Sequence, residues 1–197
     1  MLKKLTSLFV GGTLASLGIA CIINSGLGCF AVTSANLSIA NLTGISMGTA
    51  GMLLELGMLT YATYKGEGVG ITALVNTFYC SYAIDFFHKI LLTHPILVLG
   101  GLIIPFGWAL MGKAGLGDTG SNILMNALLK QYKKSIGLIR GIEEIIFLCI
   151  GLIGASNQVS LFTLFLTFCM GYILQFVYKL IKYNPVEVEH KFIIKGR

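Results

Sequence analysis

The chain has 197 residues, of which 55% are hydrophobic and only 11% charged, with a formal net charge of +6. Soluble domains carry about a quarter charged residues, and a globule of this size cannot hide so much apolar surface from water. The basic excess is scattered between apolar runs and forms no basic face, so nucleic-acid binding is set aside and a lipid bilayer is the expected surrounding.

In chain order, apolar segments predict membrane helices over residues 5–24, 46–64, 69–88, 95–112, 135–154 and 158–181. Each is close to the ~20 residues that cross a hydrocarbon core. Met1-Leu-Lys-Lys before an apolar run has the outline of a signal peptide, and Gly18-Ile-Ala-Cys21 that of a lipoprotein box. Gly18 stands where a branched apolar residue is usual, and the repeat below needs this segment, so it is read as a retained first span. Residues 183–197 form a polar tail in which Pro185 and alternating Val186-Glu187-Val188-Glu189 predict extended structure or a cytoplasmic tether.

Basic residues set the orientation. With the N-terminus inside, thirteen of the 14 Lys and Arg residues fall at the cytoplasmic side and only Lys89 falls outside. An even number of spans, with both termini cytoplasmic, preserves that bias. Cys21, Cys29, Cys80, Cys149 and Cys169 form no CxxC pair and read as small buried hydrophobes, not as a disulfide frame or metal site.

The chain also repeats itself. Gly18, Gly26-Leu27-Gly28, Ser46, Gly48 and Glu55 recur 89 positions on as Gly107, Gly115-Leu116-Gly117, Ser135, Gly137 and Glu144. After one extra residue, Thr77, Phe78, Tyr82, Phe86 and Lys89 recur 90 positions on as Thr167, Phe168, Tyr172, Phe176 and Lys179. Each unit holds three spans, so the second is expected upside down relative to the first. The expected fold is an all-α integral membrane protein of about six helices in two inverted repeats, residues 1–92 and 93–182, with the tail after them. Transporters of this build place a small-solute site near the midplane between the halves.

Two segments, 29–43 and 118–134, follow the Gly-Leu-Gly elements. Gly26, Gly28, Gly115 and Gly117 break the helices, and amphipathic stretches follow. These segments are either interfacial helices or re-entrant half-helices whose N-termini point at a ligand.

Ionisable groups inside spans are costly and are functional candidates for that reason. Glu55 and Glu144 lie at the middle of the second and fifth segments, and Arg140 lies one helical turn before Glu144. A structural Arg140–Glu144 ion pair and a proton- or cation-coupling role both fit this pattern. Glu143 is expected to face a neighbouring helix or water. Thr77, Ser81, Asp85 and His88 form a polar stripe with Asn76 nearby, and Gln175 answers it in the sixth segment; the stripe either lines an aqueous path or bonds helices together. Asp118, Ser121 and Asn122 follow the second glycine break, with Asp118 placed as a helix N-cap. Gly115-Leu-Gly-Asp118 matches the GxGD pattern of intramembrane aspartyl proteases, but the first repeat has Cys29 in place of the Asp, so the glycines belong to the fold. With no HExxH, no Walker loop and no intramembrane histidine beside a nucleophile, no catalysis, cofactor or metal is expected.

Ser25-Gly-Leu-Gly28, Leu42-Thr-Gly-Ile-Ser-Met-Gly48 and Gly70-Ile-Thr…Asn76…Asp85-Phe86-Phe87 resemble the first half of the bacterial YczE/YyaS/YitT membrane proteins. Gly115-Leu-Gly-Asp118…Ser135-Ile-Gly-Leu-Ile-Arg140…Glu144…Gly151-Leu-Ile-Gly154 is similar to their second half. The resemblance covers roughly residues 5–180 and implies a multi-pass bacterial plasma-membrane protein. It departs where family members often have a Pro-Trp-Asp type sequence and this chain has Cys29-Phe-Ala-Val32. The leading expectation is a secondary transporter or permease of a small solute, coupled to a proton or cation. The alternatives are an accessory or scaffold protein with a protein partner or a second copy of itself, and a substrate-binding subunit of a larger transporter.

Overall fold

The computed structural model describes residues 2–116, 118–185 and 193–194. Helix α1 (Leu2–Asn24) is continuous and apolar, and it stops where Ser25 Oγ bonds the Ile22 carbonyl at 2.6 Å and Gly26 takes φ +71°. Gly28, at φ +111°, completes the break, and α2 (Ala31–Thr43) begins after Phe30. A left-handed Gly44 closes α2, its N–H bonding the Ala40 carbonyl. Ser46 then caps α3 (Met47–Tyr64) by accepting from Thr49 N–H. Helix α4 (Ile71–Ile90) follows a two-residue strand, β1 (Val69–Gly70).

The second half runs through the same sequence of events. A 3-10 segment (Pro95–Leu102) leads into α5 (Ile103–Ala114), which ends at a left-handed Gly115. Helix α6 (Gly120–Tyr132) ends at a left-handed Lys133, and Ser135 caps α7 (Ile136–Gly154) by accepting from Leu138 N–H. A short 3-10 turn (Ser156–Gln158) precedes α8 (Leu161–Leu180), which starts in a reciprocal Ser160–Thr163 capping box. Gly26 and Gly115, Gly44 and Lys133, and Ser46 and Ser135 are therefore matched turns and caps at the repeat spacing.

The halves pack through their equivalent parts. Helices α1 and α5 run antiparallel. A Cβ added to Gly11 would lie 2.7 Å from the Gly107 carbonyl oxygen, and one added to Gly18 would lie 2.6 Å from that of Gly100. Gly100 and Gly107 stand 89 positions after Gly11 and Gly18, so the two contacts join corresponding positions of the sequence repeat. Glycine is needed there because the backbones touch. Helix α2 packs on α7, and its counterpart α6 packs on α3. Each half thus lends its short helix to the other. Leu8, Ile22, Phe30, Ile104, Met111, Met170 and Leu174 fill the core between them.

Large apolar side chains also point outward. Phe78, Tyr82 and Phe86 on α4, and their counterparts Phe168, Tyr172 and Phe176 on α8, are all exposed. Helices α1 and α8 are each long and apolar enough to cross a membrane, and α2 with α3 passes the same test as a pair bent by 115°. The protein is all-α among its described residues apart from one short pairing, in which β1 meets β2 (Ile193–Ile194) antiparallel, Val69 opposite Ile194 and Gly70 opposite Ile193. The extended structure expected from the sequence falls on Val186–Glu189, which lie outside the described residues.

Candidate functional site

Glu55, at the middle of α3, reaches the first turn of α6. Its Oε2 accepts from the backbone N–H of Ser121 at 3.1 Å. The first N–H groups of a helix lack partners within it and carry partial positive charge, so a carboxylate is well placed there. The approach is close enough that a Cβ on Gly120 would lie 2.4 Å from the Glu55 carbonyl oxygen. Glu144, at the middle of α7, faces the first turn of α2 at Ala31 and Val32 in the matching way, but without the hydrogen-bond geometry that Glu55 attains.

Arg140 stands between them, fully buried. Nη2 lies 3.0 Å from Glu144 Oε1 and Nη1 lies 3.3 Å from Glu143 Oε2. Nη1 also donates to Ser121 Oγ, and the guanidinium lies 4.8 Å from the ring centre of Trp108. The Arg140–Glu144 ion pair read from the sequence is present. Glu143 does not face water: it is buried and turned to the same guanidinium, one helical turn back on α7.

A cavity of about 60 Å³ opens beside this cluster. Glu55, Ser121 and Arg140 line it, with Ser81 and Thr77 from α4, Thr33 and Asn36 from α2, Thr119, Ser16 and Trp108. Its wall is otherwise apolar, from Ala15, Ile19, Val32 and Ile84. Both halves contribute.

The other sequence candidates are not in the wall. Asn76 is buried one layer back, donating to Met111 Sδ at 3.2 Å and accepting from Cys80 Sγ at 3.6 Å. Asp118 is fully buried and holds Asn122 Nδ2 at 2.9 Å and Thr119 N–H at 2.8 Å. The N-cap of α6 is Thr119, not Asp118, since it is the Thr119 hydroxyl that accepts from Asn122 N–H. Asp85 lies at the far end of α4, where it accepts from Gly48 N–H at 2.8 Å and Ser46 Oγ at 2.9 Å; it caps α3. Gln175 lines a surface groove with Lys130, Lys133 and Lys134. Gly26, Gly28 and Gly115 take the left-handed or extended-positive angles expected of helix breaks, while Gly117 lies outside the described residues. Trp108, Ser16 and Thr119 were not singled out by the sequence. Trp108 carried a signal, being the single tryptophan in the chain.

A family model matches residues 2–179, which is nearly the whole helical body. The chain belongs to DUF6198, a family of unknown function. No curated protein matches it, and no solved structure does. The family match spans every residue of the cavity wall, so the arrangement described here falls wholly within the matched region.

Proposed function

We propose that this DUF6198 protein is a multi-pass membrane protein that moves a small solute across the bilayer through the cavity between its two halves. Helices α1, α3, α4, the 3-10 segment with α5, α7 and α8 are the six spans, in two inverted three-span units, with both termini cytoplasmic. Helices α2 and α6 are re-entrant half-helices. The similarity of the motifs to YczE/YyaS/YitT proteins agrees with a bacterial plasma-membrane location.

The observation that carries this reading is the exchange of acids between halves. Glu55 of the first half sits at the first turn of α6 in the second, and Glu144 of the second faces the first turn of α2 in the first. A site shared in this way is reshaped when one half rocks against the other, which is how inverted-repeat transporters alternate access. The exposed aromatic rows on α4 and α8 fit a lipid-facing surface. Purified protein in liposomes, screened for saturable uptake over a panel of small amines, amino acids, carboxylates and inorganic ions, tests the reading. One class should move, and Glu55→Gln should abolish its movement. If properly folded protein moves no member of the panel, transport is wrong and the accessory-protein reading takes its place.

A further inference from the structure

Resting on the transporter reading, we propose that the cavity takes a small protonated amine, held by Glu55 with its carbon portion against the apolar wall. The case comes from which polar groups around the cavity are already in use. An anionic ligand would need free donors. The first turn of α6 already holds the Glu55 carboxylate, and the first turn of α2 faces Glu144. The Arg140 guanidinium is shared between Glu143, Glu144 and Ser121. Its Nε and Nη2 have no hydrogen-bond acceptor, but the guanidinium already stands against the Glu143 and Glu144 carboxyl groups, where a third carboxylate would be crowded.

The acceptors, by contrast, are open. Thr77 is 2% exposed, lines the cavity, and its Oγ1 has no hydrogen-bond partner. Asn36 Oδ1, in the same wall, has none either. Around the site, Glu55, Glu143, Glu144 and Asp118 face the single cation Arg140. A buried carboxyl either stays protonated or needs a positive partner to ionise, and a cationic ligand beside Glu55 supplies that partner.

The wall narrows the class of cation. The lining oxygens without a partner are one hydroxyl and one amide, beside the Glu55 carboxylate, and among the described residues no group of three or more His, Cys, Asp or Glu side chains could hold a metal ion. Between those oxygens lie Ile19, Ile84 and the Trp108 ring. Separate N–H bonds from an ammonium group match the oxygens, and a short alkyl chain matches the rest. A volume of about 60 Å³ admits a group the size of methylammonium or ethylammonium and little more.

The test is thermal unfolding of the full-length protein in detergent, titrated with methylammonium and ethylammonium chloride against choline chloride at equal ionic strength. Sodium acetate and sodium phosphate serve as the anion arms. The alkylammonium ions should raise Tm in a saturable way, with apparent affinity at least tenfold weaker in Glu55→Gln and several-fold weaker in Thr77→Val, which keeps the shape and removes the acceptor. Equal stabilisation of both variants, preferential stabilisation by acetate or phosphate, or no saturable shift in the unsubstituted protein would each overturn the proposal. If Glu55→Gln does not fold, Thr77→Val decides alone. Binding of the amine without its uptake into liposomes would sink the transport reading and leave this site standing. Uptake of a carboxylate would do the reverse.

Discussion

Glu55 and Glu144, 89 positions apart, each meet the opening turn of a short helix that belongs to the other half of the chain. The two contacts differ in one respect. Glu144 also carries the guanidinium of Arg140 at 3.0 Å, whereas Glu55 has no basic residue of its own and opens onto the cavity. One acid is paired with a cation on its own helix, and its counterpart borders the cavity. The substitutions below separate these roles.

Arg140→Leu removes the one cation, among the described residues, of a buried cluster and leaves Glu143 and Glu144 unpaired. Breaking a buried pair from one side costs about 3–5 kcal/mol. The variant should lose that stability in detergent unfolding, and the triple change Arg140→Leu, Glu143→Gln, Glu144→Gln should recover part of it. No recovery would mean that Arg140 acts by packing on Trp108 and not by charge.

Asp85→Ala removes the carboxylate that caps α3 at Gly48 and Ser46. A lost cap costs about 1 kcal/mol. Stability should fall by that amount while amine affinity stays unchanged, since Asp85 does not line the cavity although Ile84 and Ser81 do. A change in affinity would place Asp85 on the solute path.

Gly107→Leu should unfold or severely weaken the protein, because a side chain there meets Gly11 and Ala15 at under 3 Å. Overpacking of a tight contact costs typically 1–3 kcal/mol or more. Gly57→Ala is the control: nothing lies within 4 Å of its added Cβ, and removing a helical glycine gains roughly 0.5–1 kcal/mol. Similar behaviour of the two variants would remove the α1–α5 crossing from its central place.

Leu42 and Gln131 are repeat counterparts, both exposed, near the ends of α2 and α6. In a background without other cysteines, Leu42→Cys should react with an impermeant thiol reagent from outside the cell, and Gln131→Cys only after the membrane is opened. Labelling of both from one face contradicts the inverted arrangement.

Much of the fold was legible because its determinants are local. Ser46 and Ser135 announce helix starts, Gly26 and Gly115 announce breaks, and the apolar runs between them have helical length. The pairing of Glu55 with Glu144 was visible as a repeat. The site itself was only half visible. Glu55, Arg140, Ser121 and Ser81, candidates from the sequence, line the cavity, whereas the candidates Asn76, Asp85 and Gln175 lie elsewhere. Helical periodicity fixes which face a residue occupies but not what stands opposite it. Trp108 comes from α5, Thr33 and Asn36 from α2, and only the crossing of those helices brings them to one wall. The role of Thr119 was assigned to its neighbour because a cap is decided by one backbone angle, which Asp and Thr satisfy equally well on paper.

Ser121 gives its N–H to Glu55 and takes a bond from Arg140 on its hydroxyl. A carboxylate from one half and a guanidinium from the other are therefore wired through a single small residue. Groups joined through one residue share its position, so the energetic effects of altering them should not be additive. Swapping serine for alanine there cuts the relay at one end only, and turns two linked charges into two separate ones.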